Sequence, residues 1–140
     1  MGGFGHFACS FEFTSDRFDH SSELPPDANA GNRFYGRDVA EFVSNGLEQR
    51  GFDSGFFDED WGWMVTARRP DAAVLEIAVY HNPEEDPERA DDWALMLRLL
   101  EKDRWLGILP RTRERPIDQQ TLGSVEDIFA HAGIELRRSG

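Results

Sequence analysis

Six consecutive residues hold the densest chemistry in the chain: Asp58-Glu59-Asp60-Trp61-Gly62-Trp63. On an extended strand, Trp61 and Trp63 at i and i+2 share one face, and Gly62 leaves a gap between them on the other. Two indoles rimmed by carboxylates make an aromatic platform suited to a cationic group, a sugar or a base. With His81 as a polar group from a nearby strand end, Asp58, Glu59, Asp60, Trp61, Trp63 and His81 form one candidate ligand site. The competing reading places both indoles in the core and makes Asp58–Asp60 a solvated turn.

A second concentration of charge lies at residues 83–92, where Glu84, Glu85, Asp86, Glu88, Asp91 and Asp92 sit in a stretch bounded by prolines. Oxygen ligands alone do not make a calcium or magnesium site, because the backbone must turn around the ion, and no Asp-x-Asp-x-Asp-Gly spacing is present. A solvated charged loop is one account, and a partner-binding epitope is its main competitor. The histidines (6, 20, 81 and 131) form no His-x-x-x-His or His-Glu-x-x-His pair. There is no Gly-x-Ser-x-Gly elbow and no phosphate-cradling glycine loop. No catalytic residue, metal or cofactor is therefore assigned. Cys9, the single cysteine, sits among Phe7, Phe11 and Phe13 and reads as a small buried hydrophobe.

The Gly36-Arg37-Asp38-Val39-Ala40 helix start, followed some twenty residues on by Glu59-Asp60-Trp61-Gly62-Trp63, resembles a pattern in small uncharacterised bacterial proteins. The resemblance covers about a fifth of the chain. It implies a bacterial accessory protein and no particular activity.

Net charge narrows the choice of partner. Residues 1–97 carry 20 acids and 7 bases, a net of −13, and residues 98–140 carry 7 acids and 8 bases, a net of +1, which together give −12. Such a field repels nucleic acid and anionic membranes and attracts basic partners. Arg111, Arg113 and Arg115 form a small basic strip whose simplest role is pairing with the acidic part of the chain. No secretion signal or membrane-length apolar run is found, so the expected location is the cytoplasm.

The elements that must position these residues follow from periodicity. Phe7, Cys9, Phe11 and Phe13 alternate, which predicts a first strand within residues 6–18. Residues 19–34 lose all periodicity and read as a long irregular loop. Val39, Phe42, Val43 and Leu47 predict a helix over Arg37–Arg50, closed by Gly51 with Phe52 folding back. Gly46 inside it costs about 1 kcal/mol against alanine, which points to close packing or a bend. Trp61, Trp63, Val65 and Ala67 predict one strand, and Leu75, Ile77 and Val79 a second, joined by a turn at Arg69–Ala72. Trp93–Leu100 has helical composition but strict alternation, and it is assigned as the third strand of a meander. Leu122, Val125, Ile128, Phe129 and Ala132 predict a helix from Asp118 to His131 with Gly133 as its cap, and Ile134–Arg138 has room for a short edge strand.

The sum is one α+β domain over residues 1–140: a two-layer β-α-β-β-β-α arrangement with an optional last strand, in which two helices cover one face of an antiparallel sheet. Three functions fit it. The first is a non-catalytic acidic interaction module, an inhibitor or immunity-type protein for a basic partner. The second is a small-molecule or cation-binding domain, or a small enzyme, working at the Trp61/Trp63 face. The third is a structural subunit of an assembly, which requires a sizeable exposed apolar face.

Overall fold

Alternate residues are buried along the first strand, β1 (Cys9–Thr14): Cys9, Phe11 and Phe13 point inward while Ser10, Glu12 and Thr14 do not. The computed structural model describes residues 9–18, 36–59, 62–80, 92–105 and 109–138. After β1 come α1 (Arg37–Glu48), β2 (Asp53–Glu59), β3 (Gly62–Arg68), β4 (Val74–Tyr80), β5 (Asp92–Trp105), β6 (Leu109–Arg115), α2 (Gln119–His131) and β7 (Arg137–Arg138). The fold is α+β, with one antiparallel sheet and both helices on one face. The expected irregular stretch at 19–34 and residues 81–91 of the acidic region lie outside the described residues.

The sheet runs β2-β3-β4-β5-β1-β7, and β6 also pairs with β5. β4 occupies one edge of β5, pairing Tyr80 with Ala94 through Val74 with Leu100. On its other edge β5 carries β1, from Asp92↔Thr14 to Leu97↔Cys9, and then β6, from Leu99↔Arg115 to Trp105↔Leu109. Two short strands thus lie end to end along one long one. The expected meander is present as β3-β4-β5, with residues 93–100 in strand.

Strands β2 and β6 join the sheet beyond the five-strand expectation. In β2 the inward residues are Ser54, Phe56 and Asp58, so only one of three is apolar and the alternation is hidden. The stretch Arg111-Thr112-Arg113-Glu114-Arg115 alternates in charge rather than in hydropathy.

Both helices close as their glycines predict. At the end of α1 the Phe52 amide donates to the Leu47 carbonyl at 3.1 Å and the Gly51 amide to Glu48 at 3.1 Å, with Gly51 at φ 92°. The Ile134 and Gly133 amides repeat this pair of bonds at the end of α2. Asp118 caps the start of α2 by accepting from the Thr121 amide at 3.2 Å.

The core fills the space between the sheet and the helices. Phe13 stacks on Trp93 and meets Phe129 of α2 at 4.8 Å between centroids, and Val39, Val43 and Leu47 of α1 are fully buried. Ser44 and Ser54 share a hydrogen bond of 2.9 Å that ties α1 to β2. A Cβ at Gly46 would stand 2.7 Å from Ile128, so this glycine is where α1 and α2 approach most closely. Cys9 is buried, and that burial pushes its thiol up, as suits an unreactive core residue. No helix of the described residues is long and apolar enough to cross a membrane.

Candidate functional site

Trp63 belongs to the core: it is 4% exposed and packs against Phe56 at 6.1 Å between centroids. Gly36, at φ 141°, brings the start of α1 onto the Trp63 ring so closely that a Cβ there would lie 3.0 Å from it. The two halves of the motif, Gly36–Ala40 and Glu59–Trp63, therefore meet at this indole. Gly62 leaves no gap, because the space its Cβ would take is filled by the Val79 carbonyl oxygen at 2.6 Å. Trp63 thus offers no open platform. Trp61, Asp60 and His81 lie outside the described residues.

Asp58 and Glu59 end strand β2 rather than forming a turn, and Asp58 pairs with Trp63 on the helix-facing side. The Asp58 Oδ2 atom is buried and has no hydrogen-bond partner among the described residues. A buried carboxylate oxygen without a donor is costly, on the order of 1–3 kcal/mol. Phe57, on the opposite face of the same strand end, is 44% exposed and is the large hydrophobic residue most open to solvent among those described.

Strand register gathers the acidic segments. Glu59 pairs with Gly62, Trp63 with Val79, Tyr80 with Ala94, and Asp92 with Thr14. The end of β2, the start of β3, the end of β4 and the start of β5 therefore share one end of the sheet. Both links that carry the sequence-assigned carboxylates, the one at 60–61 and the one at 81–91, leave the described strands there. Glu84, Glu85, Asp86, Glu88 and Asp91 lie in the second link, outside the described residues, and Asp92 opens β5. Asp16, just past β1, and Asp38, in the first turn of α1, lie at the same end.

The opposite end holds a set of ion pairs among the described residues. Arg68 bridges Asp53 at 3.2 Å, and Arg69 bridges Asp71 and Asp118, the latter at 2.5 Å. Arg113 and Arg115 reach Glu101 at 2.8 and 3.2 Å, and Arg115 also lies 4.0 Å from Asp71. Four guanidinium groups thus meet four carboxylates. The basic strip at Arg113 and Arg115 is consumed in pairing, though largely with Glu101 of its own neighbouring strand. Asp71 is held down at about 2, first by the Arg69 hydrogen bond and then by the Ala73 amide. Burial pushes Asp118 up, but hydrogen bonds from the Thr121 side chain and amide and from Arg69 outweigh it, leaving Asp118 below the usual carboxylate range.

A separate feature has no counterpart in the sequence reading. Between α1 and α2 lies a groove of about 400 Å³ lined by the guanidinium groups of Arg17 and Arg50 and by His131, with Phe42 and Ile128 as apolar wall. These side chains come from three distant segments, and no spacing signal links them. Among the described residues, no group of three or more His, Cys, Asp or Glu side chains is arranged to hold a metal ion. Comparison with protein-family models, with curated proteins and with solved structures finds no match to this chain.

Proposed function

We propose that this chain is a non-catalytic interaction module whose acidic sheet end docks a basic partner, in the manner of an inhibitor or immunity-type protein. One observation carries the reading. The register brings the ends of β2 and β4, and hence the chain exits toward Asp60 and toward Glu84–Asp91, to a single end of the sheet. Meanwhile Arg68, Arg69, Arg113 and Arg115 at the other end are engaged in internal ion pairs. This placement supports a reading in which the net charge of −12 is concentrated toward the end where those exits lie.

Concentrated charge of one sign speeds encounter with an oppositely charged partner and makes the rate fall with salt. The exposed Phe57 beside Asp58 and Glu59 supplies an apolar contact next to the charged rim, as protein interfaces use. The resemblance of the Gly36–Ala40 and Glu59–Trp63 segments favours a bacterial accessory protein, and the cytoplasm is its proposed location.

Affinity capture on the immobilised chain, from host lysate at low and at high salt, tests the reading. A basic protein held at low salt and released at high salt is the expected result. Equal recovery at both salts, or recovery of acidic proteins only, contradicts it.

A further inference from the structure

We propose that the groove between α1 and α2 binds a small organic anion, one with a phosphate or carboxylate headgroup on a compact apolar body. Its volume of about 400 Å³ falls within the range of small-molecule sites, about 300–1,000 Å³. Both of its guanidinium groups are already held in place. The Arg17 guanidinium sits over the Phe42 ring, 4.7 Å from the centroid, and Arg50 donates to the Gly46 carbonyl at 3.1 Å. A guanidinium has five N–H donors, so each keeps donors for a ligand, in a fork that matches an oxyanion.

His131 stands on the α2 wall with its Nδ1 3.1 Å from the Asp127 carbonyl oxygen, which fixes the ring there. Neither guanidinium has a carboxylate within ion-pair distance among the described residues. Arg50 also borders a neighbouring cavity of about 310 Å³, whose other arginine, Arg69, is already met by Asp71 and Asp118. Two guanidinium groups without a carboxylate partner among the described residues stand out in a chain of net charge −12, and an oxyanion is a group that complements them. Asn45 and Gln49 of α1 add neutral donors, while Phe42 and Ile128 take up the apolar body.

Isothermal titration calorimetry of the full chain with phenyl phosphate, benzoate and benzyl alcohol tests this. At least one of the two anions binds at one site and the alcohol does not, and the stronger anion identifies the headgroup. Arg17→Ala and Arg50→Gln each weaken binding about ten-fold or more, the effect of one lost charge-assisted hydrogen bond. Ala132→Trp, which fills the groove and leaves both arginines, also blocks binding. Arg68→Gln, at the ion-paired sheet end, leaves the affinity unchanged. Thermal melts by circular dichroism identify any variant that fails to fold, and Arg17→Ala, on an exposed side chain, remains informative if Arg50→Gln does. Failure of both anions to bind the folded wild-type chain at millimolar concentration overturns the proposal. So does equal binding of the alcohol, or an unchanged affinity in folded Arg17→Ala.

Discussion

Asp58 and Gly46 are residues where local preference and the requirements of the fold pull against each other. The Asp58 Oδ2 atom is buried without a donor among the described residues, and the strand gains nothing from it. Asp58→Asn removes the charge while keeping the shape, and it raises stability by about 1 kcal/mol in chemical denaturation. A variant that loses stability assigns Asp58 to a structural bond instead. Gly46 works in the opposite sense. Alanine there gains about 1 kcal/mol of helix propensity but puts a Cβ 2.7 Å from the β-branched Ile128, whose χ1 is stiff. Overpacking of this kind costs about 1–3 kcal/mol, so Gly46→Ala is destabilising, and adding Ile128→Ala recovers part of the loss relative to Ile128→Ala alone. Strict additivity of the two changes in thermal unfolding contradicts the contact.

At the scale of elements, the link between the β3–β4 turn and the start of α2 has a pH signature. Asp71 is lowered to about 2 and Asp118 is lowered too, so both bind protons less readily in the folded chain than in the unfolded one. Their contribution is complete above the unfolded carboxylate range, near pH 4, and is lost as pH falls toward 2. Arg69→Leu removes the shared partner, and the fall in melting temperature between pH 4 and pH 2 is then smaller than in wild type. An unchanged acid slope contradicts the clamp.

Elements that obey one period were legible. Phe7-to-Phe13 alternation marked β1, and the apolar spacings of α1 and α2, with Gly51 and Gly133 behind them, marked both helices and their caps. Alternation at Trp93, Leu95, Leu97 and Leu99 outweighed helical composition because each residue faces the core across β4 and β1. Strands β2 and β6 escaped because packing does not hold them alone. Ser54 bonds to Ser44, Asp58 faces Trp63, and Arg113 and Arg115 bridge to Glu101. The six-residue motif was legible as a position but not as a role: Gly62 and Gly36 admit close neighbours around Trp63, which only the folded packing reveals.

Across the whole molecule, register sets a polarity: the links that carry residues 60–61 and 81–91 leave one end of the sheet, and the ion pairs of Arg68, Arg69, Arg113 and Arg115 lie at the other. That polarity could not be read from the charge split at residue 97, because it depends on register rather than on position in the chain. The groove residues Arg17, Arg50 and His131 were invisible for the same reason, being brought together from the segment after β1, the end of α1 and α2 by tertiary packing. The measurement that most directly tests the central claim compares two charge-reversed variants with equal change in net charge. One is Glu84→Lys, Glu85→Lys and Asp86→Lys on the link that leaves the acidic end. The other is Glu48→Lys, Glu126→Lys and Asp127→Lys, three exposed sites on the helical layer. The association rate with the captured basic partner at low salt should fall about ten-fold or more for the first variant and far less for the second. Equal rates for wild type and the first variant, or equal slowing by both, would contradict docking at the acidic end.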